Sequence, residues 1–116
     1  MSQVVIYHNP RCSKSRQTLE LIKEKGITPD VREYLKDTPT AAELKTVLNA
    51  LGLSARALLR TKEQEYMDNG LSDLSLSEEQ IINVMVANPK LIERPIVIKN
   101  GQARIGRPPE SVLEIL

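Results

Sequence analysis

The stretch Val4-Val5-Ile6-Tyr7-His8-Asn9-Pro10-Arg11-Cys12-Ser13-Lys14-Ser15-Arg16 decides how this chain is read. Its first four residues are β-branched or aromatic and stop before Asn9-Pro10, the pattern of a buried strand running into a turn. From Ser13 to Lys25 neither glycine nor proline occurs. Leu19, Leu21 and Ile22 are spaced to face a core, and Gly26 then stops the helix. Cys12 therefore stands between a strand end and a helix start. Val31 to Tyr34 is expected as a second strand, on which Arg32 reads as an ordinary surface residue. A strand, a helix of this length and another strand make a right-handed βαβ unit with parallel strands.

The stretch after Tyr34 reads as helical. Thr40-Ala-Ala-Glu43 matches a capping box, followed by Ala41, Leu44, Val47, Leu48 and Leu51 on one face, and Gly52 ends that helix. Ser54 is placed to cap a short helix through Leu59, and Lys62 to Asn69 holds another turn or two before Gly70. Ser77-Glu-Glu-Gln80 is a second capping box, opening a helix that Asn88-Pro89 closes. Then the period changes. Pro95 to Ile98 reads as a strand, Asn100-Gly101 as a tight hairpin turn, and Ala103 to Gly106 as the returning strand. Pro108-Pro109 opens a last helix in which Val112, Leu113, Ile115 and Leu116 are expected to pack. The order β-α-β, helices, β-β-α predicts an α/β fold of thioredoxin-like type. It is a mixed four-stranded sheet in one domain, residues 1–116, with a helical insertion at about 40–90.

Composition narrows the function classes. Sixteen Lys and Arg against 15 Asp and Glu leave a net charge of +1, which removes the usual electrostatic reason for general nucleic-acid binding. Phe and Trp are absent and the three aromatics are all tyrosines, so there is no platform for stacking single-stranded bases. One cysteine excludes a disulfide framework within the chain and leaves a zinc site without thiolate company. A lone free thiol suits a reducing compartment. Met1 to Tyr7 has neither a basic region nor a long apolar run, so no signal peptide or membrane span is expected there. The expectation is a small cytoplasmic, monomeric domain with no membrane partner.

Cys12 carries the chemistry. At a helix start, unpaired amides and the positive end of the dipole favour a thiolate. Arg11, Lys14 and Arg16 add positive charge nearby, and His8 adds more if protonated. Ser15, one helical turn on, is placed to donate its hydroxyl. All of this predicts a depressed Cys12 pKa. The alternative is an inert structural cysteine, commonly buried among apolar side chains, but Asn-Pro-Arg-Cys-Ser-Lys-Ser-Arg is a polar, cationic turn. A phosphatase loop would need an arginine six positions after the cysteine, where Thr18 stands. Nor is there a second cysteine at position 15. A single nucleophilic thiolate that hands its bond to an external thiol is the chemistry left open.

His8-Asn-Pro-Arg-Cys12-Ser-Lys-Ser15-Arg16, Arg56-Ala-Leu-Leu-Arg60, Arg94-Pro95-Ile96-Val97 and Gly106-Arg107-Pro108 together resemble the glutaredoxin-linked arsenate reductases of bacteria. These are the ArsC-like branch of the arsenate reductase/Spx superfamily, and the resemblance runs from about Gln3 to Leu116. It implies that Cys12 attacks arsenate, or a related oxyanion, to form a thiol–arsenate adduct. Glutathione, a co-substrate and not a bound cofactor, resolves the adduct, and glutaredoxin regenerates the thiol. It further implies that Arg60, Arg94 and Arg107 bind the oxyanion, that His8 and Ser15 tune the sulfur, and that the Arg94-Pro95 bond is cis. No metal is implied. Ser13-Lys14 in place of Gly-Thr, and Gly106 where some relatives have cysteine, mark a sister subgroup of the characterised enzymes.

The chemistry suits such roles, because planar guanidinium forks neutralise a tetrahedral oxyanion without titrating. Taken singly, though, an arginine at an element end ordinarily meets only the dipole or solvent, and a histidine placed like His8 is more often a satisfied strand-end residue than a tuning group. Two other functions are compatible with the fold. One is a redox regulatory module like the Spx proteins, whose oxidation sensors carry Cys-x-x-Cys where Ser15 occupies the second place here. The other is a monothiol glutaredoxin-like oxidoreductase.

Overall fold

A computed structural model describes residues 3–116. The chain forms two compact units, one comprising residues up to Asp37 with Arg94–Leu116, the other Thr38–Glu93.

The first unit is built on four strands: β1 (Val4–Tyr7), β2 (Asp30–Arg32), β3 (Ile96–Lys99) and β4 (Gln102–Ile105), in the spatial order β2-β1-β3-β4. β1 and β2 are parallel, while β1 with β3 and β3 with β4 are antiparallel. This is the mixed thioredoxin-like sheet that the element order predicts. Alternation along β1 sends Val4 and Ile6 to one face, where they pack with Val97, Ile22 of helix α1 (Ser13–Glu24), Val112 and Ile115. The hairpin turn has both Asn100 (φ 54°) and Gly101 (φ 75°) in the left-handed region, as a two-residue turn matched to strand twist requires.

Three features differ from expectation. β2 stops at Arg32, after which backbone bonds from Lys36 and Asp37 to the Glu33 carbonyl close a turn. Tyr34, expected on that strand, instead buries its ring against Tyr7, with centroids 6.4 Å apart. The last helix is 3₁₀ over Pro109–Ile115. At three residues per turn, Pro109, Val112 and Ile115 share the buried face and Leu113 turns outward. The 3.6-residue period had placed Leu113 inside. Arg32 is also no ordinary surface residue, since its Nε donates to the Asp37 carbonyl at 2.9 Å and its guanidinium lies 5.5 Å from the Tyr7 ring centroid.

The second unit is helical: α2 (Ala41–Leu51), α3 (Ala55–Leu58), α4 (Gln64–Asp68) and α5 (Glu78–Ala87), then a 3₁₀ turn at Pro89–Leu91. Both expected capping boxes form, Thr40 with Glu43 and Ser77 with Gln80. Leu44, Val47 and Leu48 of α2, Leu58 of α3 and Ile81, Ile82 and Met85 of α5 make its core. Among the described residues, no helix is long and apolar enough to cross a membrane.

Candidate active site

β1 ends one residue before His8, and the chain then makes a turn fixed at both sides. Cys12 N–H donates to the Asn9 carbonyl and Arg11 N–H to Asn9 Oδ1, each at 3.0 Å. Cys12 is the N-cap of α1: its backbone is extended (φ −95°, ψ 125°), and its carbonyl accepts the first helical bond, from Arg16 N–H, at 3.1 Å. Capping places the sulfur over the free N–H groups of the first turn, where an oxygen side chain ordinarily sits. Cys12 makes no conventional side-chain cap, yet those N–H groups still favour its anion.

Only 8% of Cys12 is exposed. Burial alone pushes the thiol up. Against it act the backbone N–H groups of Ser15 and Lys14, the Arg94 charge and the Ser15 hydroxyl, and the net shift is downward. Ser15 is itself fully buried, and its Oγ accepts from Asn9 N–H at 3.4 Å, which leaves its proton for the sulfur. The rate of Cys12 alkylation by iodoacetamide, followed against pH, is therefore expected to show a midpoint below the ~8.5 of a free cysteine. A midpoint at or above that value would contradict the arrangement. The sign for stability follows. Between the folded and unfolded pKa values the folded chain has already released a proton that the unfolded chain holds. This contribution is therefore complete above the unfolded value and is lost as pH falls through the folded one.

The source of positive charge differs from expectation. Arg16 turns back to donate from Nη1 to the Pro10 carbonyl at 2.9 Å, and Lys14 helps the anion through its backbone N–H. His8 is 6% exposed, with a buried Nδ1 that has no hydrogen-bond partner. Burial, only partly opposed by Glu33, lowers its pKa, so at neutral pH His8 is the neutral imidazole and supplies no charge. The cations that act on the sulfur come from the far end of the sequence. Arg107 Nη2 donates to Cys12 Sγ at 3.7 Å, and Arg107 Nε donates to the Arg94 carbonyl at 2.8 Å. One planar guanidinium thus bridges a fixed carbonyl and the Cys12 sulfur. Cys12, Ser15, Arg94 and Arg107 come together. Arg60 belongs to the helical unit, where its guanidinium meets Glu63 at 3.4 Å and Glu93 at 3.7 Å.

Two features escaped the sequence. Gly106 N–H donates to the Pro95 carbonyl at 2.9 Å, so the strand end after β4 lies against the Arg94-Pro95 segment. A Cβ at Gly106 would stand 2.5 Å from Thr18 Oγ1 and 2.7 Å from Pro95 Cγ, so this approach uses the missing side chain. Thr18 is buried and returns its hydroxyl to the Lys14 carbonyl at 2.7 Å. It reads in sequence only as the residue that is not a phosphatase arginine. The Arg94-Pro95 bond is cis, as the resemblance implies, and so is Arg107-Pro108, which nothing in the sequence singled out. Among the described residues, no cluster of His, Cys, Asp and Glu suits a metal ion.

Known proteins are similar to this one over nearly the whole chain. The protein YfgD of Escherichia coli K12, described as uncharacterized, is 61% identical over 115 residues, covering 98% of this chain and 97% of that one. A protein named arsenate reductase from Haemophilus influenzae is 46% identical, with 97% and 98% covered. A solved structure, named arsenate reductase from Vibrio cholerae, superposes with a TM-score of 0.96 at 55% identity over 98% of both chains. Residues 7–115 match the ArsC family, and the chain belongs to that family.

Proposed function

We propose that this protein reduces arsenate through Cys12, with glutathione as co-substrate and glutaredoxin as the partner that recycles the thiol. Relatives named arsenate reductase at 43–46% identity support the substrate. The observation that carries the reading is the Arg107 Nη2 to Cys12 Sγ contact at 3.7 Å. A guanidinium already on the sulfur meets the oxygens of any oxyanion that approaches it, and offsets the repulsion between two anions.

In the first step the Cys12 thiolate attacks arsenic, and a hydroxide leaves as water once protonated. The thiolate of glutathione then attacks the Cys12 sulfur. Forming that disulfide supplies two electrons, so As(V) leaves as As(III) arsenite. Glutaredoxin exchanges glutathione off Cys12 and restores the thiol. With one cysteine in the sequence, the chain has no resolving thiol of its own, and an external one is required by the electron count. The test is arsenate-dependent NADPH consumption with glutathione, glutaredoxin and glutathione reductase. Turnover that needs all components is expected, and none above the protein-free rate would sink the proposal.

A further inference from the structure

Three cations of the site segment are not used by the sulfur, although Arg16 also donates to the Pro10 carbonyl at 2.9 Å. Arg11 and Arg16 are exposed, Lys14 is half-buried, and none of the three forms an ion pair among the described residues. By contrast, Arg32, Lys45, Arg60 and Arg104 each meet a carboxylate. The first turn of α1 carries no acidic residue, although a carboxylate there would stabilise the helix and a cation opposes its dipole. Asn9 to Arg16 holds three cations and no acid in a chain of net charge +1. An arrangement that costs helix stability, beside a thiol that a second thiol must reach, suits an anionic visitor.

We propose that Arg11, Lys14 and Arg16 form a docking rim for the carboxylates of a small anionic thiol, so that the resolving thiol is selected by charge. This rests on the reading of glutathione as co-substrate and assigns that role a place. Its test contains no arsenate. The single thiol is first converted to a mixed disulfide with thionitrobenzoate. An incoming thiolate then forms a new disulfide with Cys12, thionitrobenzoate leaves with the bonding electrons, and its colour reports the rate. Glutathione, neutral β-mercaptoethanol and cationic cysteamine are compared per thiolate.

At low salt the expected order is glutathione first and cysteamine last, with glutathione about tenfold ahead of the neutral thiol. The order is expected to collapse in about 1 M salt, where the screening length falls to about 3 Å. It is also expected to collapse in the double variant Arg11→Gln, Lys14→Gln. Taking the ratio to the neutral thiol cancels any change in the sulfur itself, and the salt series needs no variant. Equal rates in the wild type, or an order that survives both salt and substitution, would overturn the rim. A protein inert toward arsenate that nevertheless shows the order would refute the arsenate reading and leave the rim standing.

Discussion

Cys12→Ser is expected to reduce arsenate-dependent turnover to the protein-free background. A serine hydroxyl at the N-cap stays protonated at neutral pH. Even if it formed an ester with arsenate, oxygen could not yield the two electrons that disulfide formation supplies. The loss is therefore chemical and total, not a matter of binding. Structural collapse is excluded in advance, because Cys12 occupies an N-cap with extended backbone, and serine is among the residues that position prefers. Thermal unfolding of the variant should match or exceed the wild type. Residual glutathione-dependent turnover in Cys12→Ser would place the reaction at another group, and no other thiol exists in the sequence.

Arg107→Lys is expected to lower turnover by about a hundredfold, on the order of 3 kcal/mol, the usual worth of one donor aimed at developing charge. The reason is geometric. Arg107 holds the Arg94 carbonyl with Nε and the Cys12 sulfur with Nη2. Lysine keeps the charge but has one nitrogen, which cannot serve both partners. The Cys12 alkylation midpoint should rise with it. Arg94→Lys is expected to cost less, since the carbonyl that holds Arg107 belongs to the backbone and the charge beside the sulfur is retained. Arg104→Lys is the matched control, because Arg104 meets Glu114 at 2.9 Å. Arg32 does not suit that use, because its Nε bonds the Asp37 carbonyl and its guanidinium lies over the Tyr7 ring. Wild-type activity in Arg107→Lys would remove the oxyanion pocket from the account.

The sheet and its helices were legible because local signals agreed with the tertiary outcome. Val4 to Tyr7, the two capping boxes and Asn100-Gly101 each specify their element through backbone chemistry alone. Failures fell where distant packing decides. Tyr34 leaves the strand for the Tyr7 ring, and the last helix tightens to 3₁₀ so that every third side chain is buried. The candidate site divides the same way. Cys12 and Ser15 were readable because a helix start is a local event. The charge beside the sulfur was not. Arg11, Lys14 and Arg16 are near in sequence, but the guanidinium that reaches Sγ is 95 residues away. His8 is legible as a neighbour of the sulfur but its protonation is not, because the burial that keeps it neutral is invisible in a string of residues.

One thiolate, assisted by Arg107, is expected to take arsenate and to be released by an external thiol. Intact-mass measurement of the protein after incubation with arsenate and glutathione, with glutaredoxin withheld, tests it most directly. One glutathione on Cys12 is expected, formed only when arsenate is present and accompanied by an equal amount of arsenite. A glutathione adduct that forms equally without arsenate, or arsenite appearing with Cys12 unmodified at every stage, would contradict it.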